Sequence, residues 1–297
     1  MDLRQLEIFV KVAELGSFSK AAEALFLTQP TVSEHIRTLE DELGVRLLDR
    51  LGRGAAVTKG GALLLSYAKR LLALSRETRQ AMESFLGRMS GDLLVGASTI
   101  PGEYILPALI GRFKEKFPDI AITLLIGDSQ AVTEWVTEGR AEIGMVGARS
   151  GHRAVEFREL MPDDIALIVG SAHPWHGRKQ VTIDELRAEP LLLRERGSGT
   201  RAALERALAE AGTDLGAFRV VGEMGSTQAI KQAVKAGVGV SLVSRRAVEE
   251  ECRGGSVWCL KVKDLRIARA FYLVTHRERS RSPLAEAFRA FVEAEAS

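Results

Sequence analysis

The sequence predicts a helical N-terminal module, a long linking helix and a C-terminal α/β domain. Three observations carry this. Short helical patterns separated by tight turns fill residues 1–58, one proline-free helical run covers 59–90, and apolar strand-like runs alternate with helical patterns from Asp92 onward. The chain has 297 residues, and at roughly 150 residues per domain two folded domains are expected. A chain of this length can bury about three quarters of its unfolded surface, so its core needs no staple.

The stretch Gly16–Gly44 is the most informative. A first helix is expected from about Ser19 to Leu25, with Ala21 and Ala22 small enough for another helix to approach. Phe26-Leu27-Thr28 forms a turn, Thr28 caps a second helix, and Pro30 sits in its first turn, where a missing N–H matters least. Val32, Ile36, Leu39 and Leu43 fall on one face of that helix at 100° per residue. Pro30, Thr31, Glu34, Arg37, Thr38 and Asp41 fall on the other, and Gly44 ends it.

This is the spacing of a helix-turn-helix, whose second helix lies in the DNA major groove. Gln29, Thr31 and Ser33 are placed to reach base edges, and glutamine can bond adenine at two points. Arg37 suits phosphate, and Arg50, Arg53 and Lys59 around Gly52-Arg53-Gly54 read as a basic wing on the backbone. A generic small helical domain with a solvated polar face is the alternative. Residues 1–59 hold 8 Lys/Arg against 9 Asp/Glu, which favours that alternative, and Glu34 fits a reading face only by accepting from a cytosine amino group.

Composition excludes several other classes. The formal net charge is +2, with 46% hydrophobic and 27% charged residues, so the whole chain is neither disordered nor a polyanion binder. Cys252 and Cys259 stand seven apart, neither a disulfide framework nor a zinc spacing. Residues 1–7 alternate charged with apolar side chains and lack the apolar core of a signal peptide. No apolar run approaches 18 residues, so no membrane span is expected. The expectation is a soluble cytoplasmic protein.

Along the linking helix, Leu64, Ala68, Leu71, Ser75, Thr78, Met82 and Phe85 recur at spacings of four and three, an a/d heptad seam to which Leu65, Leu72, Leu74 and Leu86 add. Lys69, Arg70, Arg76, Arg79 and Arg88 lie elsewhere on it. Either the helix packs on its own domain or the seam dimerises two chains, giving two reading heads for two half-sites.

In the remainder, strands are expected at 93–97, 120–126, 143–146, 165–169, 190–193, 220–222, 238–243 and 270–274. Helices are expected at 105–117, 200–211 and 227–236. The alternation predicts a mostly parallel sheet, with Pro162-Asp163-Asp164 as a crossing between two lobes. No catalytic set emerges from His35, His152, His173, His176 and His276. Gly237-Val238-Gly239 lacks the third glycine of a dinucleotide fingerprint, and Gly197–Arg201 lacks the ending of a phosphate-binding loop. No cofactor, metal or catalytic residue is expected.

Small hydroxyl residues recur where a strand gives way to a helix: Ser98-Thr99, Ser198-Gly199-Thr200 and Ser226-Thr227. In open α/β sheets ligands bind beyond the carboxyl ends of strands, and helix N-termini there suit a small anion. Each is alternatively a simple helix cap. Arg201 either supplies positive charge to that cleft or is a surface arginine. Glu103, an acid near the cleft mouth, is a poor companion for an anion.

The whole N-terminal pattern resembles the LysR-type transcriptional regulators. The matching elements are Leu3-Arg4-Gln5-Leu6 with Phe9, Gly16–Leu25, Thr28-Gln29-Pro30-Thr31-Val32-Ser33 with Ile36, Leu39 and Glu40, Glu42–Leu48 with Arg50, and Thr58–Gly61. The resemblance runs the full chain and implies a winged helix-turn-helix (1–58), a linker helix (59–90) and an effector-binding domain (91–297) of periplasmic-binding-protein-like fold. Lobe I is placed at about 91–162 and 267–297, lobe II at about 163–266. It implies double-stranded DNA with an inverted repeat as partner, a homo-oligomer (dimers pairing into tetramers), a small-molecule effector between the lobes, and RNA polymerase as a further partner.

The expected DNA-binding residues are Gln29, Pro30, Thr31, Ser33, Glu34, Arg37, Arg50 and Arg53. The expected effector-binding residues are Ser98, Thr99, Glu103, Ser198, Thr200, Arg201, Ser226 and Thr227. Family members sharing Gly197–Arg201 and Glu223–Lys231 include regulators of carbon fixation and of sulfur or nitrogen oxyanion metabolism, which suggests a small oxyanion or carboxylate. A solute-binding protein would explain residues 92–297 but not the first 90, and an enzyme on this scaffold would need a nucleophile–base pair.

Overall fold

The computed structural model describes residues 1–51, 54–85, 89–263 and 265–296. They fall into two compact units, an N-terminal one ending with the long helix and a larger one after it.

In the first unit Asp2 starts helix α1 (Leu3–Leu15). Its carboxylate accepts from the Gln5 amide at 2.8 Å, and the Gln5 side chain accepts from the Asp2 amide at 2.9 Å. This reciprocal box satisfies two otherwise orphaned N–H groups. Helices α2 (Phe18–Ala24) and α3 (Gln29–Leu43) follow. Ala21 and Ala22 are buried where the helices meet, and Val32, Ile36 and Leu39 form the inner stripe of α3. Leu43, expected to extend that stripe, is 40% exposed, because α3 ends one residue later at Gly44 in the left-handed conformation.

Two short antiparallel strands come next, β1 (Leu48–Leu51) and β2 (Gly54–Val57). Glu40 reaches from α3 to anchor them, its Oε1 accepting from the amides of Leu47 and Leu48 at 2.7 and 3.1 Å.

The long helix α4 runs Lys59–Phe85. Its start is crowded: a Cβ on Gly61 would lie 2.0 Å from the Leu47 carbonyl oxygen, so only glycine lets α4 leave the wing at this angle. The heptad seam divides. Ala68 is buried in the N-terminal core, with Leu64, Leu65 and Leu72 packed against it. The exposed apolar stripe is instead Leu63, Tyr67, Leu71, Leu74 and Met82, which share a face at 100° per residue. Periodicity found an apolar helix but could not tell which part of its wide apolar arc its own domain would take. Leu86 and Arg88 lie outside the described residues.

The second unit contains, in order, β3 (Gly91–Ser98), a π-helical turn (Pro101–Ile105), α5 (Leu106–Lys116), β4 (Ile120–Gly127), α6 (Ser129–Glu138), β5 (Ile143–Val146), β6 (Val155–Gly170), β7 (Gln180–Val181), α7 (Ile183–Ala188), β8 (Leu191–Arg194), α8 (Gly199–Glu210), β9 (Val220–Met224), α9 (Thr227–Lys235), β10 (Val240–Ser244), α10 (Glu249–Arg253), β11 (Val257–Val262), β12 (Ala268–His276) and α11 (Pro283–Ala296). The strand order is β4-β3-β5-β12-β6-β10-β8-β9, with β11 also on β6.

Strand β6 serves both lobes. Val155–Asp164 pair with β12, and Ile165–Ile168 pair with β10. Each lobe has its own core, one around Phe113, Phe271 and Phe288, the other around Leu167, Leu204, Leu208 and Val240.

The sheet is mixed rather than mostly parallel. β3 pairs in parallel with β4 and β5, and β8 with β9 and β10. The strand shared by the lobes, β6, and its partner β12 are antiparallel to their neighbours. Residues 155–164 were not expected as strand because they carry charges and Pro162. The register shifts at Phe271/Tyr272, and this irregularity lies beside the segment that carries Pro162, where a missing amide is tolerated.

Candidate DNA-reading face and effector cleft

On α3, Thr28 caps the helix, its hydroxyl accepting from the Thr31 amide at 3.4 Å. Gln29, Pro30, Glu34 and Arg37 are exposed, and Thr31 and Ser33 are half-buried. Gln29 donates from Nε2 to Ser33 Oγ at 2.9 Å. The turn before α3 holds Phe26 at φ 55°, with 97% of its surface exposed, a conformation bulky residues rarely adopt. Arg50 lies on β1 opposite Ala55; its side chain and Arg53 lie outside what the structure describes.

In the second unit the ends of β3, β8 and the start of β12 converge on one small cavity. Ser98, Thr99, Ile100, Asp128, Ser129, Arg194, Ser198, Gly199, Thr200 and Arg269 line it, and its volume is about 10 Å³. That is the space of a single water, so the lobes are closed here. A Cβ on Gly199 would sit 2.7 Å from the carbonyl carbon and oxygen of Gly147; this glycine lets the start of α8 press against the opposite lobe.

Sequence reasoning missed the two cations at the centre. Arg194 is 3% exposed at its side chain and is held by Glu195 through two bonds of 2.7 Å. It donates to Thr99 at 3.1 Å and to Thr227 at 2.5 Å, so one guanidinium ties the two lobes together. Arg269 donates from Nε to Asp163 at 2.7 Å and from NH1 to Thr200 at 2.9 Å. Burial lowers its pKa, and the Asp163 carboxylate opposes that shift. Asp163 in turn accepts from Ser244 at 2.6 Å. The available signal was a charge ending an otherwise apolar strand, as in Leu191-Leu192-Leu193-Arg194.

Of the expected effector residues, Ser98, Thr99, Ser198 and Thr200 line the cavity, and Thr227 joins it through Arg194. Three do not. Ser226 is the cap of α9, accepting from the Ala229 amide at 3.1 Å. Glu103 is exposed on the π-helical turn. Arg201 points away, pairing with Glu223 at 2.5 Å and Glu205 at 2.9 Å; burial works against its charge, and these carboxylates more than restore it. Ser98 Oγ accepts from the Gly147 amide at 3.1 Å, keeping its own proton to donate. The buried Ser129 hydroxyl has no hydrogen-bond partner.

Fold and site together define a two-part regulator: a winged helix-turn-helix joined by a helix to a two-lobed small-molecule sensor. Two family models match accordingly. The bacterial regulatory helix-turn-helix protein model of the lysR family covers residues 3–62, and the LysR substrate binding domain covers residues 86–297. The chain belongs to the LysR family of transcriptional regulators.

It is 34% identical over 289 residues to the probable RuBisCO transcriptional regulator of Trichormus variabilis, spanning 96% of this chain and 86% of that one. It is 32% identical over 286 residues to the HTH-type transcriptional activator CmpR of Synechocystis sp., spanning 96% and 93%. The crystal structure of CbnR, a LysR family transcriptional regulator, has the same fold, with a TM-score of 0.74 at 23% identity over 100% of both chains. No helix among the described residues is long and apolar enough to cross a membrane.

Proposed function

We propose that this regulator reads an inverted repeat in double-stranded DNA with α3. Gln29, Thr31, Ser33 and Glu34 face base edges, Pro30 fits against the groove, and Arg37, Arg50 and Arg53 hold phosphates. Residues 1–58 form the reading head, 59–90 the dimerising linker and 91–297 the sensor, whose lobe I is about 91–162 with 267–297 and whose lobe II is about 163–266. It acts in the cytoplasm as a homo-oligomer, by binding rather than by catalysis, with RNA polymerase as a further partner. The exposed stripe Leu63, Tyr67, Leu71, Leu74 and Met82 supports pairing of two chains through α4.

The effector is a small anion or carboxylate bound between the lobes. The observation that carries this reading is the pair of buried guanidinium groups, Arg194 and Arg269, set among the hydroxyls of Ser98, Thr99, Thr200 and Thr227. A cavity of about 10 Å³ admits no such ligand, so binding opens the cleft, and the ligand's charge replaces contacts that now tie the lobes. The names of the relatives fit an effector drawn from carbon metabolism.

The test is thermal unfolding of the full chain with sulfate, thiosulfate, nitrate, phosphate and common metabolic carboxylates. A ligand at about 100 times its dissociation constant adds roughly 2.7 kcal/mol, a rise of a few degrees. The rise is expected to disappear in Ser98→Ala while unliganded DNA binding stays intact. A full rise in Ser98→Ala removes this serine from the site, and no rise with any anion overturns the anion reading.

A further inference from the structure

The chain's only two cysteines carry a feature the effector cleft does not use. Cys252 lies on α10 and Cys259 on β11, and the turn between them folds the helix back over the strand. Gly255 takes φ +72° there, and the amides of Gly254 and Ser256 bond back to the carbonyls of Glu250 and Glu251 at 2.8 and 3.1 Å. The Sγ atoms come to 2.6 Å. Both thiols are free and half-buried, packed against the cluster of Ile168, Val248 and Val257. A sequence separation of seven gave no hint of this contact.

We propose that Cys252 and Cys259 form a reversible dithiol–disulfide site, closed by exchange with a low-molecular-weight disulfide of the glutathione class. We further propose that closing it pins α10 and stiffens a bridge between the lobes. One of the two sulfurs attacks the external disulfide; one S–S bond breaks, a mixed disulfide forms, and the first small thiol leaves with the proton that cysteine gives up. The other cysteine sulfur then displaces the second small thiol, which takes that cysteine's proton. The balance is one small disulfide consumed, two small thiols released and one protein disulfide formed. Burial and the hydrogen bond to Cys252 push the Cys259 thiol up to about 12, so little of it is thiolate at neutral pH and its exchange is slow.

The consequence lies one residue away. Glu251 of α10 pairs with Lys231 of α9 at 2.7 Å, both nearly buried. Lys231 also donates to the Ala247 carbonyl at 2.8 Å and to the Tyr104 hydroxyl of the other lobe at 3.4 Å. A covalent tie at Cys252 therefore fixes the element that positions this bridge. The exchange chemistry itself is independent of any effector.

The experiment equilibrates the full chain with glutathione buffers from fully reduced to fully oxidised. It follows intact mass without reductant, and amide exchange over 227–235. The wild type is expected to lose two hydrogens as a monomeric chain, without retained glutathione, and its α9 amides are expected to exchange more slowly once oxidised. Cys252→Ser and Cys259→Ser, which lie outside the reading face and cleft, should each stop at one thiol or one glutathione adduct with unchanged exchange. Retention of both thiols at the oxidised end, or their loss only into cross-linked chains or stable adducts, overturns the site. An internal disulfide with no change in α9 exchange overturns its coupling to the bridge.

Discussion

On the outer face of α3 the charged side chains stand in solvent. Gln29, Glu34 and Arg37 are exposed, and the side-chain bonds there are short-range ones, Gln29 to Ser33 and Thr28 to Thr31. In the cleft the polar side chains are buried, and nearly all are bonded: Arg194 to Glu195, Thr99 and Thr227, Arg269 to Asp163 and Thr200. The two regions prepare for their ligands in opposite ways. A DNA surface brings its own dense charge and displaces only counterions, so its reader can leave its groups free. The cleft is a low-dielectric space, so the charges buried there must be paired with one another.

This difference is most open to attack at Asp163. Its carboxylate is fully buried against the guanidinium of Arg269. Removing one partner of such a pair leaves an uncompensated charge and costs about 3–5 kcal/mol. Asp163→Ala should therefore lower the urea midpoint of the sensor strongly. Glu34→Ala on the exposed face of α3 should change stability by no more than about 0.5 kcal/mol. Comparable losses in the two variants would mean that the cleft's charges are not locked as described.

The same contrast explains what the sequence made legible. The reading head is local: Thr28, Pro30 and Gly44 mark the ends of α3 within 17 residues, and the inner stripe Val32, Ile36 and Leu39 follows one helical period. The cleft is assembled from residues far apart. Ser98, Arg194 and Arg269 meet only because β6 and β12 carry the chain twice between the lobes. The hydroxyls could be read as strand-to-helix punctuation; the arginines are harder, since a buried arginine looks in sequence like a surface one, and only the apolar run before Arg194 marks it out. Arg201 was the more conspicuous candidate, beside Gly197-Ser198-Gly199, but it pairs with Glu205 and Glu223 and does not line the cavity. The α4 seam divided for a related reason, because which apolar face is free depends on what the neighbouring helices already cover.

On the reading side the expected effects are smaller and concern affinity rather than folding. Gln29→Ala should reduce discrimination between the cognate site and a mutated one by about 1–3 kcal/mol at one base pair, measured by competition at fixed salt. Unchanged discrimination would remove Gln29 from base readout. Arg37→Ala should weaken binding to all sequences alike and flatten the log–log salt slope by about one. A change of sequence preference instead would move Arg37 from phosphate to base contact.

The subtlest difference between the regions is in pH dependence, and Glu251 isolates it. Burial pushes its carboxyl up, but the hydrogen bond and charge of Lys231, with Lys235, outweigh that and hold it below the usual carboxylate range. A carboxyl lowered in the folded state binds fewer protons there than in the unfolded chain, so its contribution is complete above the unfolded value of about 4.3. That contribution fades as pH falls through the folded value. The melting temperatures of wild type and Glu251→Gln should thus differ most near neutral pH and converge on acidification below about 4. A gap that stayed constant or widened toward acid would show that the Glu251–Lys231 pair does not hold α9 against α10. The bridge to Tyr104 would then rest on the Ala247 carbonyl alone.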